Sequence, residues 1–302
     1  MRPQLRVLGA TLLASSVLTL AACSQTEQPE QPVATETAVS TAPTVPPAAT
    51  APGSPAEAPP ASASEMTSTS VAATDTAQVL QSAVDAAVAA FGGTAGIAVS
   101  DGTTATSAGD DTAYPAWSTS KVPIAIAALR QDPSLTAPAA AAITASNNEA
   151  AETLWLSLPE GAADQVLAEG GLQVSMNTVK IRPEFSVFGQ TAWSPSSQAT
   201  FAANLPCVAG SAPVLDLMGQ VSPDQAYGIG QLPGARFKGG WGPDPSGSYQ
   251  VRQFGRFTGA NGEVAVALTA IPASGQYGDA QAMASMMATQ LAGAALPTAA
   301  CG

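Results

Sequence analysis

The order of predicted helices and strands in residues 71–302 constrains the fold of this chain most strongly. An amphipathic helix near residues 80–91 comes first, and two strand-like runs follow it around the turn signal Asp101-Gly102. An alanine-rich, mostly helical block covers residues 118–218, and a final helix ends the domain. Three more strand-like runs lie between them, at 236–239, 249–257 and 263–271. Strands separated by a helical insertion predict an α+β fold, in which one antiparallel sheet is flanked by helices beside an all-helical subdomain.

The first 22 residues have the features of an export signal. Arg2 and Arg6 precede an apolar run that is too short to span a bilayer, and the run ends in small residues directly before Cys23. This arrangement resembles a bacterial lipoprotein signal. The resemblance implies that Cys23 carries fatty acyl chains such as palmitate, becomes the mature N-terminus and anchors the protein on the extracytoplasmic face of the cell membrane. An ordinary secretory signal with a chance cysteine is the alternative.

Residues 23–70 have the composition of a linker. Apart from the cysteine, they are mainly Pro, Thr, Ala, Glu and Ser, with no lysine, arginine or aromatic residue. Such a segment buries too little apolar surface to offset the entropy of ordering it. We therefore expect a disordered, extended linker between the membrane and a folded domain at residues 71–302.

Composition excludes several classes of function. The chain contains no histidine, which rules out Ser-His-Asp and Cys-His catalysis and most zinc sites. Its net charge of −12, with ten scattered basic residues, argues against a nucleic-acid partner. We expect neither a metal nor another cofactor. With Cys23 lipidated, Cys207 and Cys301 remain, and they form either one disulfide or two buried thiols.

Lysine is scarce, and one of the three lysines lies in a reactive sequence pattern. Lys121 follows Ser118 by three residues, between an extended stretch and an apolar run typical of a helix. Residues three apart share one face of a helix, and the free N–H groups of a first helical turn favour negative charge at Ser118. A buried Lys121 with a lowered pKa would take the serine proton. A capping serine beside a solvated lysine is the alternative.

Two further motifs follow in a fixed order. Ser146-Asn147-Asn148 lies in an alanine-rich stretch predicted to be helical, and Lys238-Gly239-Gly240 lies in a predicted strand. Ser-x-x-Lys, Ser-x-Asn and Lys-(Thr/Ser)-Gly, in this order, resemble the three motifs of penicillin-binding proteins and class A-type serine β-lactamases. The resemblance covers about residues 77–291 and implies a β-lactamase/transpeptidase-like fold.

The resemblance implies a role for each motif residue. Ser118 is the acylated nucleophile, Lys121 is its nearest base, and Ser146 relays a proton to the leaving nitrogen. The backbone N–H groups of Ser118 and Trp241 would hold the oxyanion.

The remaining motif residues would bind the substrate. Asn148 would hydrogen-bond the substrate amide, and Lys238 would pair with Ser146 and attract a carboxylate. Gly239, Gly240 and Trp241 would form the strand beside the bound substrate.

The chain also departs from the family pattern. Gly239 replaces a hydroxyl residue that contacts the substrate carboxylate, and Trp241 is bulkier than the usual residue. The segment between Lys121 and Ser146 is short. Glu184 in Arg182-Pro183-Glu184 resembles the deacylating glutamate, although the usual Leu-Asn pair after it is missing. A surface carboxylate paired with Arg182 is the alternative for Glu184.

From these features we expect a membrane-anchored, extracytoplasmic serine acyl-enzyme hydrolase of the peptidase type. Its substrates would be peptidoglycan peptide or β-lactam-like amides, with weak or no β-lactamase turnover. A non-catalytic lipoprotein that binds cell-wall fragments or a protein partner is the alternative, and a true β-lactamase that uses Glu184 is a third. The sequence leaves the oligomeric state open.

Overall fold

The computed structural model describes residues 64–302. The predicted signal sequence, Cys23 and most of the predicted linker lie outside the described residues. Helix α1 (Ser64–Phe91) begins upstream of residue 71, where the folded domain was predicted to start. No proline or glycine interrupts residues 64–91, so nothing in the sequence stops the helix from extending this far back. None of the helices in residues 64–302 is both long enough and apolar enough to cross a membrane.

Helix α1 ends where the backbone enters the left-handed region. Gly92 and Gly93 have φ values of +62° and +75°, and the Gly92 N–H donates to the Val88 carbonyl to close the last turn. A side chain on Gly93 would lie 2.1 Å from the Ile271 carbonyl oxygen. Only glycine therefore fits this turn into the sheet.

A five-stranded antiparallel sheet forms the centre of the domain. Its strands are β1 (Thr94–Ser100), β2 (Ala105–Gly109), β5 (Arg236–Pro243), β6 (Tyr249–Gly259) and β7 (Gly262–Ile271). They lie in the order β2-β1-β7-β6-β5, so β1 from the start of the domain pairs with β7 from its end. The predicted α+β fold with one antiparallel sheet completed from both ends is confirmed.

Helices cover both faces of this sheet. Helix α8 (Tyr277–Leu291) packs with α1 on one face, where Ile97 and Val266 join a buried apolar cluster that includes Met283 and Met287. Helix α6 (Pro195–Asn204) packs on the other face, against Ala98 and Ala267. Alternate residues of each strand thus point to opposite layers, as the two-residue period of a strand requires.

A helical region is inserted between β2 and β5. It contains a two-stranded ribbon of β3 (Tyr114–Pro115) and β4 (Ala192–Trp193), the helix α6 already named, and five further helices. These are α2 (Lys121–Gln131), α3 (Thr136–Thr144), α4 (Asn148–Ser157), α5 (Ala162–Glu169) and α7 (Ala212–Met218). Within this mostly helical region, residues 171–187 contain no helix. The segment forms a loop beside α4.

The C-terminal segment is attached to the domain by a disulfide. Cys207 and Cys301 are bonded, with a sequence separation of 94 and a Cα–Cα distance of 6.2 Å. Close by, the Gly302 N–H donates to the Asn204 side chain, which in turn donates to the Gly102 carbonyl. The chain end is thereby held against α6 and the turn between β1 and β2.

Candidate active site

Ser118 lies in a tight turn that precedes α2. Trp117–Ser120 form a 3₁₀ turn, and α2 begins at Lys121, whose N–H donates to the Ser118 carbonyl. The prediction that Ser118 occupies the first turn of the α-helix is therefore wrong by one turn. Trp117 has φ +50°, an unusual value for a non-glycine residue, and such strain occurs mainly at functional sites. This backbone leaves Ser118 half-buried, with a hydroxyl that bonds to no other described residue.

Strand β5 passes directly beside this turn. A Cβ atom on Gly240 would lie 2.8 Å from the Ser118 nitrogen and 2.9 Å from the Ala116 oxygen. A Cβ on Gly242 would lie 2.5 Å from the Trp117 ring. Glycine at these two positions is what allows the edge strand to approach the serine so closely.

Lys121 is buried rather than solvated. Its side chain is 1% exposed, and its ammonium donates to the Ser146 carbonyl at 2.5 Å, to the Asn148 Oδ1 at 2.8 Å and to the Ser146 Oγ at 3.3 Å. All its described partners are neutral oxygens, so no carboxylate compensates its charge. Burial lowers the pKa of Lys121 to about 7. A substantial fraction of the amine is therefore neutral at physiological pH, as a general base requires.

Ser146 lies between two lysines. It has φ +54° and follows the end of α3, so the prediction of a continuous helix through Ser146 and Asn147 is wrong. Instead, the Asn147 side chain caps α4 by accepting from the Ala150 N–H. The left-handed backbone turns Ser146 towards β5, where its Oγ lies 2.8 Å from the Lys238 Nζ.

Lys238 is completely buried and carries the second ammonium of the site. It donates to the Ser146 Oγ and, at 3.0 Å, to the Gly239 carbonyl. Burial lowers its pKa well below the usual lysine value, and the positive charge of nearby Lys121 lowers it further. Two ammonium groups separated by one hydroxyl repel each other. One of them therefore loses its proton easily, and a bound anion would stabilise the doubly protonated pair.

Asn148 is the first residue of α4 and bonds directly to Lys121. Its Oδ1 accepts from the ammonium, which fixes the orientation of the amide and leaves its NH₂ group for other acceptors. Asn148 also lines the cavity at Ser118. The residues Ser118, Lys121, Ser146, Asn148 and Lys238 are thus brought together by the fold.

Sequence reasoning missed a buried guanidinium beneath the serine turn. Arg252 on β6 is fully buried, and burial lowers its pKa to about 9. It donates to the Gln198 Oε1 at 2.8 Å, and the Gln198 amide donates to the Thr119 Oγ1 at 2.8 Å. It also donates to the carbonyls of residues 114, 115 and 193. Arg252 therefore fixes the turn that carries Ser118, and no local pattern in this strand would have indicated the contact.

A cavity of about 600 Å³ opens in front of Ser118. Ser146, Asn148 and Trp241 line it, as do Gly242, Pro243 and Tyr249 from the β5–β6 side. The opposite wall belongs to α4 and the 171–187 loop: Glu149, Glu152, Lys180, Glu184, Phe185, Ser186 and Val187. The volume is that of a small-molecule or peptide site.

Glu184 lines this cavity but is bound to a neighbouring cation. Its carboxylate lies 3.0 Å from the Arg182 guanidinium and its side chain is 53% exposed. Arg182 in turn donates to the Pro243 carbonyl and stacks over Phe185, 4.4 Å from the ring centroid. Hydrogen bonds and the Arg182 charge hold the pKa of Glu184 below its usual value. The geometry matches the paired surface carboxylate, and Glu184 contacts neither Ser118 nor Lys121 in the described part of the chain.

Gly239 and Trp241 occupy the strand as the motif predicts. A Cβ on Gly239 would meet the Tyr227 hydroxyl at 3.7 Å and the Gln253 Cγ at 3.8 Å, which are ordinary contacts. The structure therefore has room for a small side chain at position 239. Trp241 packs against Tyr277, with ring centroids 5.7 Å apart.

The assembled groups have the properties needed for acyl transfer. A hydroxyl nucleophile, a buried amine that is neutral near pH 7 and a relay hydroxyl between two amines occur within one site. A bound anion would favour the protonated forms of the two buried amines, Lys121 and Lys238. In the described residues no group of three or more His, Cys, Asp or Glu side chains could hold a metal ion.

Comparison with known proteins agrees with this geometry. Residues 78–136, which contain the Ser118–Lys121 motif, match the model of the β-lactamase enzyme family. No curated protein sequence matches the chain.

Solved structures of class A β-lactamases share the fold. The TLA-3 extended-spectrum β-lactamase is 13% identical, with a TM-score of 0.57, over 71% of this chain and 97% of that protein. A class A β-lactamase from Bacteroides cellulosilyticus is 14% identical, with a TM-score of 0.58, over 71% and 96% of the two chains. One from Mycobacterium abscessus is 13% identical, with a TM-score of 0.55, over 70% and 96%. Residues 78–136 are therefore similar in sequence to the β-lactamase enzyme family, and the chain shares the fold of class A β-lactamases.

Proposed function

We propose that this protein is an extracytoplasmic serine acyl-enzyme hydrolase that acts on peptidoglycan peptide or on β-lactam-like amides. The observation that carries the proposal is the Ser146 hydroxyl, which lies 2.8 Å from the Lys238 Nζ and 3.3 Å from the Lys121 Nζ. This contact joins three motifs that are far apart in sequence, next to the Ser118 cavity. A structural lysine would not need a hydroxyl shared with a second buried lysine.

Acylation follows from the chemistry of these groups. Neutral Lys121 accepts the proton of the Ser118 hydroxyl while the oxygen attacks the substrate carbonyl carbon. The oxyanion is held by the backbone N–H groups of Ser118 and Trp241. The Ser146 hydroxyl gives its proton to the leaving nitrogen as the C–N bond breaks, and protonated Lys121 restores that proton. The product is an ester on Ser118.

Hydrolysis of that ester is proposed to be slow. Activation of water needs a base within reach of the acyl carbon, and Glu184, the candidate that the family resemblance implies, is held in a salt bridge with Arg182. The carboxylate subsite is also weaker than usual, because Gly239 offers no hydroxyl. Both features support weak or no β-lactamase turnover.

The place of action follows from the export signal. Lipidation of Cys23 would anchor the protein to the cell membrane, and residues 24–63 would allow the domain to reach the cell wall. We expect the Cys23→Ser variant to be released from the membrane fraction. A variant that stays in the membrane fraction would contradict the anchor.

Incubation with benzylpenicillin followed by intact-protein mass spectrometry tests the function. We expect one added penicilloyl group per chain, located on Ser118 by peptide mapping and stable through desalting. The matched control Ser118→Ala should gain no mass. A folded wild-type protein that gains no mass would overturn the proposal.

Gly239 and the paired Glu184 favour a second candidate, a binding protein on the same fold that has lost turnover. It would hold peptidoglycan fragments through the Lys238 charge without forming an ester. The Ser118→Ala variant would then bind such fragments as tightly as the wild type, and neither protein would form an adduct. An adduct on Ser118 excludes this candidate.

A further inference from the structure

Three large apolar side chains are exposed on α4 and on the 171–187 loop. Among the described residues, only Leu156, Val179 and Ile181 expose most of a large apolar side chain, at 75%, 68% and 69%. Leu156 is on α4, and the other two are in the 171–187 loop that faces it. An exposed apolar residue indicates a binding surface where it borders an apolar cleft, as Leu156 does.

Leu156 borders a second cleft, of about 520 Å³, which we call the apolar cleft. Its walls come from the end of α4, the start of α5 and the 171–187 loop. The lining is mainly apolar and consists of Trp155, Leu156, Leu158, Pro159, Gly161, Ala162, Ala163, Met176 and Val187, with the polar residues Glu160, Asp164 and Thr178. One of these polar groups is already satisfied, because Asp164 accepts from the Met176 N–H at 2.6 Å.

The apolar cleft continues the cavity at Ser118. Glu149 and Glu152 line that cavity, and Leu156 lines the apolar cleft, at positions i, i+3 and i+7 of α4. Residues at this spacing share one face of a helix. Val187 on the facing loop lines both spaces. The two spaces therefore lie next to each other along α4, from Asn148 to Leu156, a distance of about 12 Å at 1.5 Å per residue, and we call them together the groove.

The character of the groove changes along its length. Near Ser118 it carries Glu149, Glu152 and Lys180, whose side chains can hydrogen-bond polar groups of a ligand. Beyond them it becomes apolar. A ligand that follows the groove needs a polar, amide-bearing part next to the reacting carbonyl and a large apolar group at its far end.

We propose that the apolar cleft is the subsite for the far end of the substrate's acyl portion. The occupant is a medium-length alkyl group, joined to the reacting carbonyl through an amide-bearing neck. The apolar lining of the cleft and its position next to the Ser118 cavity favour this occupant. The inference rests on the proposed acyl-enzyme function and specifies the substrate that this site selects.

Two penicillins with the same bicyclic ring test the proposal. One carries an acetylglycyl side chain and the other a decanoylglycyl side chain, so only the far end differs. We expect the decanoyl compound to acylate the protein about tenfold faster, which corresponds to the burial of a few methylene groups. Leu156→Ser should remove this preference and leave the acetyl rate unchanged. The control Ala90→Ser, at an exposed position on α1, should retain the preference. Equal rates for both compounds, or a preference that survives in Leu156→Ser, would overturn the inference.

A binding measurement keeps the inference testable if no acylation occurs. Ser118→Ala cannot form the ester, and we expect it to bind the decanoyl compound about tenfold more tightly than the acetyl compound. The difference should again disappear in the Ser118→Ala/Leu156→Ser double variant. Absence of an adduct with both compounds would overturn the proposed function alone, whereas equal affinities would overturn the subsite.

Discussion

Gly239 and Gly240, two adjacent glycines on β5, should respond differently to substitution, because the structure has room for a side chain only at Gly239. A Cβ on Gly239 would make contacts of 3.7, 3.8 and 3.9 Å, whereas a Cβ on Gly240 would lie 2.8 Å from the Ser118 nitrogen. Neither glycine has a positive φ. Gly239→Ser should therefore fold normally, whereas Gly240→Ser must push the strand away from the nucleophile.

The size of each effect follows from the contacts. Gly239→Ser restores a hydroxyl that can bond to the substrate carboxylate, and a hydrogen bond to a charged group contributes about 1.5–3 kcal/mol. This corresponds to an increase of roughly 10- to 100-fold in the second-order rate constant of acylation. Gly240→Ser should lower the same constant by at least about 100-fold, since misplacing reacting atoms by 1 Å has that effect.

The assay is the rate of labelling by a fluorescent penicillin, measured for both variants and the wild type at one pH. Urea unfolding of each variant separates loss of the site from loss of the fold. The reasoning is refuted if Gly239→Ser does not accelerate labelling, or if folded Gly240→Ser labels at the wild-type rate.

Four further predictions concern charge, hydrolysis and stability. Because the pKa of Lys121 is about 7, the acylation rate should rise with pH to a plateau above that value, and Lys121→Arg, which stays protonated, should show no such rise in stopped-flow labelling. Burial lowers the pKa values of Lys121 and Lys238, so the folded state binds fewer protons than the unfolded state above pH 7. The free energy of unfolding in urea should therefore increase from pH 7 to pH 9, and this slope should be smaller in Lys238→Met. Glu184→Gln should leave nitrocefin hydrolysis unchanged, because its carboxylate is paired away from the serine; a large drop in rate would identify it as the base. Replacing Cys207 and Cys301 by serine should lower the free energy of unfolding by about 2–5 kcal/mol, and an unchanged urea midpoint would contradict a stabilising bond.

The sequence predicted the sheet well because its strands are marked by local signals. Alternating and continuous apolar runs ended at turn residues such as Asp101-Gly102, and these signals do not depend on distant contacts. The start of α1 was missed because the absence of proline and glycine is a weak signal. The path of the 171–187 loop could not be predicted from a local pattern, because its backbone depends on contacts with other segments, such as the Arg182 bond to the Pro243 carbonyl.

The candidate site was predicted by motif order, whereas its geometry depends on tertiary contacts. Ser146 adopts a left-handed conformation, which interrupts a stretch whose alanine content favours a helix. This conformation is unfavourable for a serine, and it occurs together with the Ser146 contact with Lys238. The role of Arg252 could not be predicted, because its partners come from three distant segments. The pairing of Glu184 with Arg182 was one of two alternatives, and residue spacing alone does not distinguish them.

The central claim is that folding buries Lys121 beside the reactive hydroxyls and keeps its amine neutral near pH 7. The chain has only three lysines, so NMR of protein labelled with ¹³C at the lysine Cε can follow each one through a pH titration. We predict a resonance with a midpoint at about pH 7 that is absent from the spectrum of Lys121→Met. If the resonance lost in Lys121→Met instead titrates near the ordinary lysine value of about 10.4, the amine is not the base and the account is contradicted.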